Sequence, residues 1–361
     1  MDVTPQSQVV RFDTSQSSTN TSTRSHAKPP SWPIRRYTPY SKTPRSRKLN
    51  TRMGRIERTP VVGGDSETDL KKLVNKTWHV YQVTPLADFK QDAASLRKYS
   101  KHLSAFLQAE SQKGIGVDVE NIVGDRAVFS LMQGLASSPD DSEAVELVVK
   151  VKSQANVGAA SSTRETLHAI LCSVGADINR KETLHDSLAM LPVLIMKGTV
   201  AVSTCVIKWL ESQFDCHIKR MTFNQMKLAW IIPIWAGAGL EDVSKPIELQ
   251  YTVPKDIEGL NTITLTVEHQ DAQTLWESVH DGSSNEVSGE EIAAFIKSLE
   301  AHFFYHFKIH LEGMSLTRIG TPLAFMGCEG RIKIFQGSGV IQILQYLTEL
   351  ATEDKFGLYT H

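Results

Sequence analysis

The chain has 361 residues, 41% of them hydrophobic, enough for a sizeable core and, at this length, for two domains. Its four cysteines, Cys172, Cys205, Cys216 and Cys328, form no CxxC pair, which argues against a zinc knuckle or a secreted disulfide framework and reads as reduced thiols of cytosol or nucleus. The net charge of −1 hides a split: residues 1–64 hold 12 Lys or Arg and 3 Asp or Glu, leaving 27 of the 39 basic and 37 of the 40 acidic residues for the remainder, a basic arm on a mildly acidic body.

In chain order, residues 1–66 come first, with SQSSTNTSTRS, KPPSWPIRR and TPYSKTPRSRKLNTR rich in Ser, Thr, Pro and Arg. Such composition buries too little apolar surface to offset chain entropy and predicts disorder. Arg35, Arg36, Arg45, Arg47 and Lys48 match a nuclear-import signal or a loose nucleic-acid contact. Thr38, Thr43 and Thr59 each precede proline, as proline-directed kinase sites do, and a phosphate there would reverse part of the local charge.

Order is expected from residue 67. ETDLKKLVNK predicts a short helix and WHVYQVTPL a strand ended by Pro85, while Leu96, Tyr99, Leu103, Phe106 and Leu107 mark an amphipathic helix stopped at Gly114. Strands are predicted at 115–120, 126–132, 144–151, 165–172 and 188–196, then a helix at 200–213 and a strand in CHIKRM. A second apolar helix is expected through FNQMKLAWIIPIWAG. The runs LAMLPVLIM and LAWIIPIWAGAG fall well short of the ~20 residues a bilayer span needs, and no apolar segment follows Met1, so a soluble protein without a membrane partner is expected.

Beyond residue 240, strands are predicted at 246–253 and 262–267 and a helix at 270–280. A second helix opens at Ser288, whose SGEE sequence is a capping box. Three short strands, KIHLEG, LTRIG and RIKIF, and a closing helix, GVIQILQYLTELA, follow. The predicted class is α+β: a mixed α/β domain over 67–240, then a sheet with packed helices over 241–361, preceded by the disordered tail of 1–66. No internal repeat is present.

GxxxxGK[ST], GxSxG and HExxH are absent, which removes the commonest nucleotide, serine-hydrolase and zinc-protease signatures. FQGSG lacks a third glycine and a following parallel strand, so Ser338 reads as a helix N-cap and not a phosphate loop. In HFFYHFKIH, His302 and His306 are spaced for one helix face, but His310 falls beyond the helix if KIHLEG is a strand. The reading is an aromatic core face flanked by surface histidines, with neither metal nor cofactor.

Alternation carries more. Lys308 and His310 share one strand face opposite Ile309 and Leu311, and Arg331 and Lys333 sit opposite Ile332 and Ile334. Arg318 fits less cleanly, because Leu316 would fall on its side. If these strands are neighbours, Lys308, His310, Arg318, Arg331 and Lys333 form a basic patch suited to phosphate.

KTWHVYQVTPLADF (76–89), LRKYSKHLSAFLQAESQKGIGVDV (96–119), FDCHIKRMTFNQMKLAW (214–230), DAQTLWESVH (271–280), HFKIHLEGMSLTRIGT (306–321) and IQILQYLTELA (341–351) resemble the centromere protein L family. The likeness is scattered over most of residues 70–351 and is weakest over 135–200. It implies a non-enzymatic inner-kinetochore subunit of nucleus and centromere, heterodimeric with centromere protein N through the C-terminal sheet. It further implies contacts with centromere protein C, with the centromere H, I, K and M subunits, and with the centromere protein A nucleosome and its DNA. The same resemblance gives Lys308, Arg318, Arg331 and Lys333 a role in gripping DNA; His310 joins them by alternation alone. The alternative is a homodimeric scaffold whose sheet edge pairs with itself, without DNA contact.

Overall fold

A computed structural model describes residues 9–10, 70–112, 126–135, 142–152, 163–175, 187–238, 245–257, 259–280 and 287–356. The arm, apart from Val9–Val10, lies outside the described residues, as does the strand predicted at 115–120. So do residues 67–69 of the first predicted helix, of which Leu70 and Lys71 are helical.

The elements are β1 (Val9–Val10), β2 (Thr77–Val83), β3 (Leu86–Ala87), α1 (Ala93–Gln112), β4 (Arg126–Met132), β5 (Ala144–Lys152), β6 (Thr163–Cys172), β7 (Leu188–Ala189), β8 (Val193–Gly198), α2 (Val200–Phe214) and β9 (Ile218–Arg220). Then come α3 (Gln225–Ala229), α4 (Ile231–Ala236), β10 (Ile247–Thr252), β11 (Thr262–Val267), α5 (His269–Val279), α6 (Gly289–Phe307), β12 (Ser315–Gly320), β13 (Ala324–Gly327), β14 (Arg331–Ile334) and α7 (Val340–Phe356). Twelve strands form one sheet in the order β1-β11-β10-β12-β13-β14-β2-β8-β6-β5-β4, with β9 beside β2. Every pairing in it is antiparallel except β1 with β11. This is the expected α+β class, and strands from both sides of residue 240 share the sheet.

One face of the sheet is covered from β11 to β8 and over the ends of β6, β5 and β4 that carry Cys172, Ala144 and Met132. Ile292, Phe295, Leu299 and Phe303 of α6 and Leu344, Leu347 and Leu350 of α7 join Trp78, Ile195, Leu249, Ile319 and Ile332 in a single buried cluster. The other face is covered only over β2, β8, β6, β5 and β4. There α1 (Leu96, Tyr99, Leu103, Leu107) and α2 (Val202, Val206, Trp209, Leu210, Phe214) build a second cluster. Phe214 sits at its centre, with ring centroids 4.9 Å from Phe89, 5.0 Å from Tyr99 and 5.7 Å from Trp209, in edge-to-face arrangements. The runs 188–196 and 228–239 contribute core: Leu191, Leu194, Ile195, Leu228, Ile232 and Trp235 are all buried.

The capping box forms as expected: Glu291 N–H donates to Ser288 Oγ at 3.2 Å, and Ser288 N–H donates to the Glu291 carboxylate at 2.6 Å. Three expectations need correction. The apolar helix through 225–236 is two short helices broken at Trp230; Pro233 has no N–H for the Ala229 carbonyl, and its ring would clash with that carbonyl in a continuous helix. Gly337–Gly339 is a 3-10 turn whose cap, Gln336, lies outside it, so Ser338 is no N-cap; a Cβ at Gly339 would collide with Leu323.

The third correction is KIHLEG, which is not a strand. Lys308 ends α6 in the left-handed conformation (φ 57°), its N–H bonded to Phe304 O at 2.9 Å, and Leu311–Gly313 is a 3-10 turn. Both sides of β10 are already taken, by β11 and β12, so this segment serves to carry the chain from the helix layer back into the sheet. A short strand that alternation did not reveal, β13, fills the gap between β12 and β14.

Candidate nucleic-acid interface and sheet edge

Where α1 and α2 end, the sheet face they cover continues uncovered across β14, β13, β12, β10 and β11. The register sets two rows of side chains on it. Gln250, Arg318, Gly327, Arg331 and His79 lie opposite one another in succession, and so do Glu248, Gly320, Phe325, Lys333 and Thr77. Paired residues point to the same side of a sheet, so Arg318, Arg331 and Lys333 share the open face. Arg318 and Arg331 are exposed and Lys333 half-buried.

The irregular alternation at Arg318 has a structural cause. Gln250 pairs with Arg318 and Tyr251 with Leu316, so Thr317 is the extra residue of a β-bulge. The bulge puts Leu316 and Ile319 inside and both Thr317 and Arg318 outside, where strict alternation would have buried one or exposed the other. Between the two arginines sits Gly327. A Cβ there would meet the Arg318 and Arg331 stems at ordinary contact distances, 3.8 and 3.9 Å, so the two stems flank this position closely.

Residues that alternation did not mark extend the row. Arg220 donates from Nε to Glu329 O at 2.8 Å and from Nη2 to His79 Nδ1 at 2.7 Å, which fixes its guanidinium beside Arg331. Burial, then the Arg220 and Arg331 charges, lower the His79 pKa, which favours the neutral ring whose Nδ1 accepts from Arg220. Lys245 and Lys333 flank Phe335, with Nζ atoms 4.0 and 5.3 Å from its centroid. The face also carries acid: Glu248 is exposed, and Glu329 lies 3.7 Å from Arg331.

Lys308 and His310 are not on this face. They sit at the end of α6, which packs on the opposite side of the sheet through Leu299 and Phe303. Lys308 Nζ lies 5.6 and 5.2 Å from the Phe304 and Tyr305 centroids, and His310 stacks on Phe304 at 4.1 Å. Arg35, Arg36, Arg45, Arg47 and Lys48, with Thr38, Thr43 and Thr59, lie outside the described residues. His302 and His306 stack edge to face at 4.6 Å; among the described residues no group of three or more His, Cys, Asp or Glu is placed to hold a metal ion, and no helix is long and apolar enough to cross a membrane.

The two ends of the sheet differ as well. At β4, the outward amides of Ala127 and Phe129 donate to Ser104 Oγ and Ser100 Oγ of α1, each at 2.9 Å, while those hydroxyls donate to the carbonyls of Ser100 and Leu96 at 2.7 Å. That edge is closed by side chains. At β11, the strand TITLTV has no proline or charged residue to discourage pairing, and among the described residues only β1 pairs with its outer side. Beside it, a cavity of about 320 Å³ opens between β11, α5 and α6, lined by Leu265, Val267, Asp271, Leu275, Leu299 and His302 among others.

Residues 72–352 match the family model described as centromere protein L. Curated relatives called centromere protein L include one from Xenopus tropicalis, 30% identical over 318 residues and covering 88% of each chain. Those from Gallus gallus and Homo sapiens are each 31% identical, covering 77% of this chain and 79% of the relative.

Proposed function

The chain belongs to the centromere protein L family, and from that membership we propose that it acts at the centromere, in the nucleus, as a structural and non-catalytic subunit of the inner kinetochore. Its open sheet face contacts DNA phosphates, and its β11 edge receives a strand of centromere protein N to form a heterodimer. Through that heterodimer it joins centromere protein C, the H, I, K and M subunits and the centromere protein A nucleosome. The observation that carries the DNA contact is the in-register row of Arg318 and Arg331, with His79-held Arg220 and Lys333 beside it, on the uncovered half of the sheet. With Gly327 between them, the Cα atoms of Arg318 and Arg331 stand roughly 10 Å apart, two strand spacings. Arginine donors there meet phosphate oxygens without reading base edges, so the affinity is general to sequence and steep in salt.

The test replaces Arg318, Arg331 and Lys333 together by alanine in the heterodimer with centromere protein N and measures DNA binding from low to moderate salt. Removing three phosphate contacts flattens the slope of log affinity against log salt by about 2 to 3. An unchanged slope rejects the open face as the DNA contact. The undefended β11 edge also favours a second reading, pairing of two copies of this chain. Sedimentation of the isolated chain, with and without centromere protein N, separates the two: a homodimer that persists in the presence of the partner supports the scaffold reading.

A further inference from the structure

We propose that Val9–Val10 is a built-in cover strand for the β11 edge, occupying the site in the isolated chain and giving way when another strand arrives. The proposal rests on the reading of β11 as the strand-accepting edge. Val9 pairs with Thr264 and Val10 with Leu265, in parallel. The segment comes from the far end of the sequence, each residue 255 positions from its partner in number, so the pairing is long-range and owes nothing to a local hairpin. Valine is among the residues best suited to a pleated ladder, and QVVRF supplies it at a point where the rest of residues 1–66 is dominated by Ser, Thr, Pro and Arg.

Two properties suit it to covering without sealing. A parallel ladder is slightly weaker per residue than an antiparallel one, and this one has two pairs against the six that join β10 to the other side of the same strand. An incoming antiparallel strand can therefore replace it with a longer ladder. Tethering makes so short a pairing effective at all, because the covalently attached strand faces its edge at a fixed effective concentration, about millimolar for short linkers and lower for longer ones. The contrast with β4 is direct: there, two serine hydroxyls on a packed helix close the edge permanently, whereas β11 carries a cover that can leave.

The test substitutes V9P/V10P in the full chain, which removes the backbone N–H that faces β11 and replaces two residues well suited to a ladder with two that are excluded from it. Backbone amide exchange across Thr262–Val267 is measured in the isolated chain, and affinity for centromere protein N is measured separately. The expected result is exchange faster by about fivefold or more in β11 but unchanged in β5, together with a severalfold tighter complex. Unchanged exchange overturns the cover strand. Faster exchange with an unchanged complex overturns the competition and assigns the partner to another surface. If the unsubstituted chain forms no complex with centromere protein N, the heterodimer reading fails, and exchange together with self-association of V9P/V10P decides the cover strand alone: faster exchange and more dimer support it, and no change in either rejects it.

Discussion

The half of the sheet from β2 to β4 carries a core cluster on each face and its outer edge is capped, while the half from β14 to β11 carries one on a single face and its outer edge is paired with two residues from the N-terminal arm. Strands of the closed half read as apolar runs; β8 has four consecutive buried residues, Val193 to Met196. Strands of the open half alternate, as Arg331 to Ile334 do. The closed half supplies stability, and the open half leaves polar surface and unpaired backbone available for partners.

That division predicts where substitutions are felt. The largest effect is expected from Phe214→Ala, which empties the centre of the ring cluster between α1, α2 and the sheet; about 3 to 5 kcal/mol of stability should be lost in urea unfolding. Next comes Glu146, held between β5 and its neighbours. His168 Nε2 lies 2.8 Å from it, Lys72 Nζ 3.3 Å and Ser130 Oγ 3.4 Å. The hydrogen bond with His168 leads the causes that lower its pKa from 4.5 to about 2. A depressed carboxylate contributes stability above its unfolded pKa and loses it as pH falls through the folded one. Urea midpoints should therefore decline between about pH 5 and 2 by the equivalent of roughly 2 kcal/mol, and Glu146→Gln should flatten that limb.

Ser100→Ala with Ser104→Ala tests the closed edge itself. Two strand amides lose their acceptors, so a cost of about 1 to 2 kcal/mol and faster exchange at Ala127 and Phe129 are expected. Smallest in stability is the open-face variant of Arg318, Arg331 and Lys333, expected within about 0.5 kcal/mol per site. Urea unfolding of that variant sharpens the contrast, because its DNA affinity should fall while its midpoint hardly moves.

Local chemistry was legible in the sequence. The Ser288 capping box needs four residues and no tertiary partner, and the stripes of α1, α2 and α6 follow from helical spacing. The break at Trp230 was within reach, since Pro233 forbids a bond to Ala229. The flaw in alternation at Leu316 and Arg318 was the visible trace of a bulge whose partner, Gln250, lies in another strand. Lys308 misled because αL backbone at a helix end has no sequence period. Arg220 and His79 are 141 residues apart and meet because β9 pairs with β2, a matter of strand order that no single stretch encodes.

The arrangement of β14 and β9 along one side of β2 has a mechanical meaning. β14 contributes three register pairs to β2 and β9 three more, meeting where Gly330, at φ 73°, abuts the Met221 carbonyl too closely for any Cβ. A pull along the strands must shear both sets of rungs together, whereas a pull across them peels one rung at a time. For a subunit gripping DNA on one half and braced by the other, the direction of load through β2 decides whether the molecule behaves as a rivet or a zip.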